Sequence, residues 1–113
     1  MPQKDIVYAK KLDVSPASGS VDVNVAGYAG FVVLGMLSAL AGGTTPSTVF
    51  TAFAVDEFNN EHQMFTVAAI DTLNEKFTSV QHVMLQSLVS DLVRFKWTTT
   101  GAPTTAVIDL SVY

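Results

Sequence analysis

Apolar and polar residues alternate along this chain with the period of two that belongs to a β-strand, not the 3.6 of a helix. Val21, Val23 and Val25 alternate with Asp22, Asn24 and Ala26. Val93, Phe95 and Trp97 alternate with Arg94, Lys96 and Thr98, and Ala106, Ile108, Leu110 and Val112 with Thr105, Val107, Asp109 and Ser111. Each pattern predicts a strand with one face in a core and the other in water.

The remaining segments fit the same class. Residues 6–12 read as a weaker first strand, "SPASGS" at 15–20 as a turn or loop, and 31–40 as a continuous apolar strand ended by "AGGTTPS". Residues 48–55 are β-branched and aromatic, Asn59 and Asn60 form a hairpin corner, and 63–70 return. "TGAP" predicts a terminal hairpin joining 92–100 to the last strand.

Residues 72–90 admit two readings. Thr72 and Glu75 have capping-box spacing, and Leu73, Phe77, Val80 and Met84 recur as on a short helix. Alternatively 80–85 is a strand and 86–91 a connection.

"GGTTPSTVF" at 42–50 and "TTGAPTTAV" at 99–107 echo one another, each with glycine shortly before proline, then hydroxyl residues, then a strand. Glycine permits close chain approach and proline fixes φ, so both are tight corners, and the echo predicts two pseudo-symmetric hairpins.

Two segments break the one-wet-face rule. Phe31, Val33, Leu37 and Ala39 are answered by Val32, Leu34, Met36 and Leu40, and Met64, Ala68 and Ile70 by Phe65, Val67 and Ala69. A two-layer domain has no third layer to cover a second dry face, and large apolar patches are rare on monomers. Val32, Leu34, Met36, Leu40, Met64 and Ile70 are therefore the candidate contacts with a neighbouring subunit.

Composition supports this. The 113 residues make one domain, with 1–12 as an N-terminal arm or edge strand. Only 14% are charged, against roughly 25% in soluble domains, so the surface is short of charge. A net charge of −4 with scattered basic residues argues against nucleic acid as a partner. The uncharged run 24–55 approaches membrane-span length, but its glycines and the alternating "SVDVNV" before it favour buried strand over a membrane segment. Absence of cysteine excludes disulfides and thiolate metal sites, and the charged "MPQKDIVYAKKLDV" is unlike a signal peptide, so use without export is expected.

Candidate chemistry is sparse. His62 and His82 lie on separate segments without metal-ligand spacing, and Asp56, Glu57 and Glu61 with two asparagines read as a solvated corner, not a calcium loop. Ser87, His82 and Asp91 lack any sign of an oxyanion hole, and no nucleophile elbow or phosphate loop is present. No catalytic residue, cofactor or metal is assigned, and an enzyme is not expected. Trp97 with Arg94 and Lys96 could stack on a sugar, but sharing a face with Val93 and Phe95 favours a core role.

"SVDVNVAGYAGFVVLGMLSALAGGTTPSTVFTAFAV" followed by "LVRFKWTTTGAPTTAVIDLSV" resembles a family of small phage structural proteins with a jelly-roll, galactose-binding-like β-sandwich. Val23, Val25, Gly27 and Tyr28 match its first strand, Thr45, Pro46 and Ser47 its corner, and Val93, Arg94, Trp97, Thr98, Thr100, Gly101 and Pro103 its last element. The middle departs from the pattern, with "NNEHQMF" where an Asp-Gly hairpin and Thr-Trp belong.

The resemblance implies an antiparallel, jelly-roll-like sandwich of about eight strands. It also implies a capsid decoration or cement protein in the virion, made in the host cytoplasm, forming a homotrimer and contacting the major capsid protein. A glycan-binding or host-attachment module and a small neck or tail component are the alternatives.

Overall fold

A computed structural model describes residues 8–25, 31–81 and 92–113. They form eight strands: β1 (Tyr8–Asp13), β2 (Ser18–Asn24), β3 (Phe31–Ala41), β4 (Ser47–Val55), β5 (Glu61–Ile70), β6 (Lys76–Gln81), β7 (Leu92–Thr100) and β8 (Thr105–Val112). These pair antiparallel in two four-stranded sheets, ordered β1-β8-β3-β6 and β2-β7-β4-β5. That order is a jelly roll, two Greek keys folded into a sandwich.

The alternating segments do what their pattern requires. In β7 Val93, Phe95, Trp97 and Thr99 are buried, and in β8 Ala106, Ile108, Leu110 and Val112 are buried. They meet Phe31, Val33 and Leu37 from β3 and Phe50 and Ala52 from β4 in one core between the layers. Phe50 is its centre, with ring centroids 5.7 Å from Phe77, 5.7 Å from Phe95 and 6.3 Å from Trp97. Such aromatic contacts add to what burial alone contributes.

The expected terminal hairpin does not form. β7 lies between β2 and β4, whereas β8 lies between β1 and β3, so "TGAP" carries the chain from one layer to the other. The β3–β4 corner makes the same crossing, and the two echoing corners sit side by side instead of closing hairpins. Thr44 N–H donates to Gly101 O at 2.8 Å and Thr104 N–H to Ala41 O at 2.9 Å. Gly42, Gly43 and Gly101 at φ 75°, 73° and 85°, with Thr45 at 44° and Ala102 at 48°, hold the left-handed backbone that bends both. Glycine and proline announce a turn, but the partner of the next strand is decided by packing. Among the described residues only β4 and β5 are consecutive strands paired in one sheet, with Asn59 at φ 64° in their turn.

"SPASGS" is turn over its first half and strand over its second. Asp13 Oδ1 accepts from Ser15 N–H at 3.0 Å to make a short turn, and β2 already runs from Ser18. Gly19 belongs to that strand because the Trp97 ring occupies its side-chain space.

Over 72–81 the helical reading gives way to turn and strand. Only half of the capping box forms: Glu75 Oε1 accepts from Asp71 and Thr72 N–H at 3.2 Å each, but Glu75 N–H donates to the Thr72 backbone O and Thr72 Oγ1 donates to Asp71. Asn74 at φ 68° leaves helical geometry, and Leu37 N–H to Glu75 O at 2.9 Å ties the turn to β3. The strand starts at Lys76, four residues before the expected Val80, and residues 82–91 of both readings lie outside the described residues.

Bulges resolve part of the two-faced pattern. In β5 the register slips between Thr48 and Phe50 and between Ala52 and Phe53 of its partner. Each slip moves the alternation by one residue. Met64, Phe65 and Val67 therefore all pack on the core, and Ile70 is 2% exposed. The expected dry outer face of β5 is thus corrected. A bulge between Leu37 and Ala39 likewise turns Leu40 onto the core and takes Ala39 out of the inward row.

Candidate interaction surface

Among the described residues, three surface features bear on recognition; Val49 and Leu73 are also exposed, 39% and 50%. The first is the outer face of the β1-β8-β3-β6 sheet. Before its bulge β3 points Phe31, Val33, Gly35 and Leu37 inward, which forces Val32, Leu34 and Met36 outward. Leu34 is 40% exposed, opposite Ser111 on β8 and Thr78 on β6. These short side chains leave a shallow depression of about 270 Å³ lined by Leu34, Met36, Lys76, Phe77, Thr78 and Asp109, among others.

Of the six candidate contacts, Val32, Leu34 and Met36 therefore share this face. Leu40, Met64 and Ile70 lie on the core side for the register reasons above, and their placement outside is corrected.

The depression has a charged border. Lys11 Nζ is 2.9 Å from Asp109 Oδ1, and Ser38 Oγ donates to the same oxygen at 2.8 Å. Lys11 first, and Ser38 second, hold the Asp109 carboxyl below the usual carboxylate range. Lys76 is exposed and has no ion pair among the described residues.

The second feature is the outer face of the β2-β7-β4-β5 sheet. Arg94 grips Asp22 with two bonds, Nε to Oδ1 at 2.8 Å and Nη2 to Oδ2 at 3.1 Å, and Nη1 reaches Glu61 at 3.1 Å. Lys96 Nζ also meets Glu61 at 3.1 Å. The hydrogen bond from Arg94 is the main cause lowering both the Asp22 and Glu61 carboxyls, and those carboxylates push the guanidinium up. Open grooves of about 390 and 470 Å³ run along this network.

The charged groups along the grooves are already engaged. Lys96 Nζ already sits 5.4 Å over the Phe53 ring, and the four charges satisfy one another. Trp97 is 9% exposed and stacked on Phe50, so it lies in the core and offers no sugar platform.

The third feature is the β4–β5 turn, which sequence reasoning treated as a solvated corner. Phe58 stands 84% exposed at its tip. Asp56 Oδ1 accepts from Phe58 N–H at 2.9 Å and Asn60 N–H at 2.8 Å, and Oδ2 meets His62 Nε2 at 2.9 Å. The carboxylate only accepts, so Nε2 carries the proton. The His62 bond, followed by the Asn60 N–H, lowers the Asp56 carboxyl to about 2. Arg94 Nη2 donates to Asn59 Oδ1 at 3.2 Å, fastening the turn to β7. The signal for Phe58 was present: an aromatic between "DE" and "NN" has no apolar residue two positions either side.

The remaining singled-out residues divide between corner, core and undescribed segments. Pro46, Gly101 and Pro103 stand in the two sheet-crossing corners. Gly27, Tyr28, His82, Ser87 and Asp91 lie outside the described residues. Among the described residues no cluster of three His, Cys, Asp or Glu could hold a metal ion, and no helix is long and apolar enough to cross a membrane.

No protein-family model matches the chain, and no curated protein matches it. Solved structures resemble it at low identity. CBM32 of AlyQ in complex with 4,5-unsaturated mannuronic acid is 9% identical with a TM-score of 0.48, over 100% of this chain and 98% of the other. The CBM22-1 xylan-binding domain of Paenibacillus barcinonensis Xyn10C is 14% identical with a TM-score of 0.47, over 90% of this chain and 61% of the other. VP2 of the infectious bursal disease virus subviral particle is 13% identical with a TM-score of 0.46, over 94% of this chain and 29% of that one.

Proposed function

We propose that this chain is a non-catalytic structural protein that associates with copies of itself through the outer face of the β1-β8-β3-β6 sheet and decorates a phage head as a trimer, against the major capsid protein. The observation that carries self-association is the row Val32, Leu34 and Met36 on the middle of a sheet face, with Leu34 40% exposed. Nothing among the described residues covers it, and burying such a row removes apolar surface from water. The phage location and the trimer rest on the sequence resemblance, whose matched residues are mostly corners and core.

Sedimentation of the purified chain over a range of concentrations tests the association, with Leu34→Glu as comparison. A concentration-dependent oligomer that this substitution dissociates is expected. A monomer at the highest attainable concentration would overturn the reading. Mass spectrometry of purified virions tests the location, and absence from intact particles would refute it.

A further inference from the structure

The geometry points to a specific joint: Phe58 at the β4–β5 turn of one copy inserts into the depression around Leu34 and Met36 of a second copy. This rests on the self-association reading above and names the element that performs it.

Phe58 is 84% exposed, yet it is held by a turn with little freedom. Asp56 takes the N–H of Phe58 and of Asn60, His62 takes the other Asp56 oxygen, and Arg94 secures Asn59. A large apolar side chain on a fixed support loses little conformational freedom on docking, which is the property of an interface anchor. It cannot fill the depression of its own chain, because Phe58 belongs to the β2-β7-β4-β5 layer and the depression opens on the far side of the other sheet.

Size and charge match. The depression measures about 270 Å³ and presents the apolar side chains of Leu34 and Met36, while the Phe77 ring beneath turns inward to Phe50. Beside it stand two lysines, Lys11 and Lys76, against one aspartate, Asp109, already engaged by Lys11. Next to Phe58 stands Glu57, exposed and without an ion pair among the described residues. An acidic knob thus faces a depression bordered by Lys76, which has no ion pair among the described residues, and opposite charges at an interface rim favour this docking over others. Knob and depression are different surfaces, so the contact is head to tail, and a head-to-tail contact that closes on itself makes a ring.

Sedimentation of the full chain tests the joint. Phe58→Ser, an exposed turn position, and Leu34→Glu should each weaken association on the order of thirtyfold, as loss of an anchor does. Mixed in equal amounts, each variant retains one intact half, so a heterodimer that grows no further is expected. Glu57→Lys and Lys76→Glu should each weaken association, and combining them in one chain should restore it. Wild-type assembly unchanged in Phe58→Ser, a mixture that stays monomeric, or no rescue by the charge exchange would overturn the joint while leaving self-association intact. A monomeric wild type would overturn both.

Discussion

The indole of Trp97 lies across Gly19, with Cζ2 2.2 Å from where a β-carbon on that glycine would stand. The two are directly paired across β2 and β7, and the ring continues inward to stack on Phe50. Gly19→Ala must displace a packed ring, which costs about 1–3 kcal/mol. Trp97→Ala empties the same site and costs roughly 3–5 kcal/mol. Trp97→Phe should lose much less, because the indole N–H has no partner among the described residues and its removal offsets part of the lost volume. Urea unfolding at one protein concentration ranks the three. Gly19→Ala as stable as wild type would contradict the packing.

A buried hydroxyl relay gives a second ranking. Thr99 Oγ1 donates to Val14 O at 2.6 Å, so its single proton is used and the 2.9 Å contact with Thr48 has Thr48 as donor. Thr99→Val strands both the Val14 carbonyl and the Thr48 hydroxyl in the core, at about 1–3 kcal/mol. Thr48→Val leaves the bond to Val14 intact and should cost less. Equal losses in thermal unfolding would mean that the bond from Thr99 to the Val14 carbonyl contributes nothing to stability.

The strands were legible where one residue in two must be wet. β7 and β8 follow from alternation alone, and the Asn59 corner follows from the left-handed backbone that asparagine tolerates. The terminal hairpin was misread because turn chemistry states that the chain bends, whereas the choice between partner strands rests on side chains far apart in sequence. Bulges hid the true faces of β5, since their single-residue shifts leave Met64 and Phe65 adjacent in the sequence yet both on the core. Gly19 read as turn for the same kind of reason, its partner Trp97 lying far along the chain. In the candidate surface, Leu34 was visible as an apolar residue on the wrong face. Phe58 carries a signal too, an aromatic among polar neighbours, but the bonds from Asp56 that hold it out are not legible in the sequence.

The paired corners separate two kinds of glycine. A β-carbon on Gly101 would stand 2.5 Å from Thr44 O and 2.6 Å from Pro46 Cα, both backbone atoms, at φ +85°. One on Gly42, at φ +75°, would meet only the side chain of Thr104, whose hydroxyl would have to give up its 3.1 Å bond to Ala41 O. Both alanines carry left-handed strain of about 1–3 kcal/mol, but only Gly101→Ala must also push two corners apart. Gly101→Ala should therefore lower the melting temperature more. The reverse order would show that the corners do not support one another.

Acid should release the β4–β5 turn late. The Asp56 carboxyl stands at about 2 instead of 3.8, so the folded turn favours its ionised form. Its contribution is fully present above the ordinary aspartate range and fades as pH falls toward about 2. The N–H groups of Phe58 and Asn60, which both donate to Asp56 Oδ1, report this directly. Their amide shifts in an NMR titration should move with a midpoint well below 3.8, while His62→Ala, which removes the leading cause of the shift, should raise that midpoint. Asp56→Asn should abolish the transition and broaden the turn resonances at neutral pH, since a neutral amide accepts more weakly from the two N–H groups. A midpoint at the ordinary aspartate value in the wild type would mean that Phe58 stands on a loose loop, and the rigid support on which its docking depends would be lost with it.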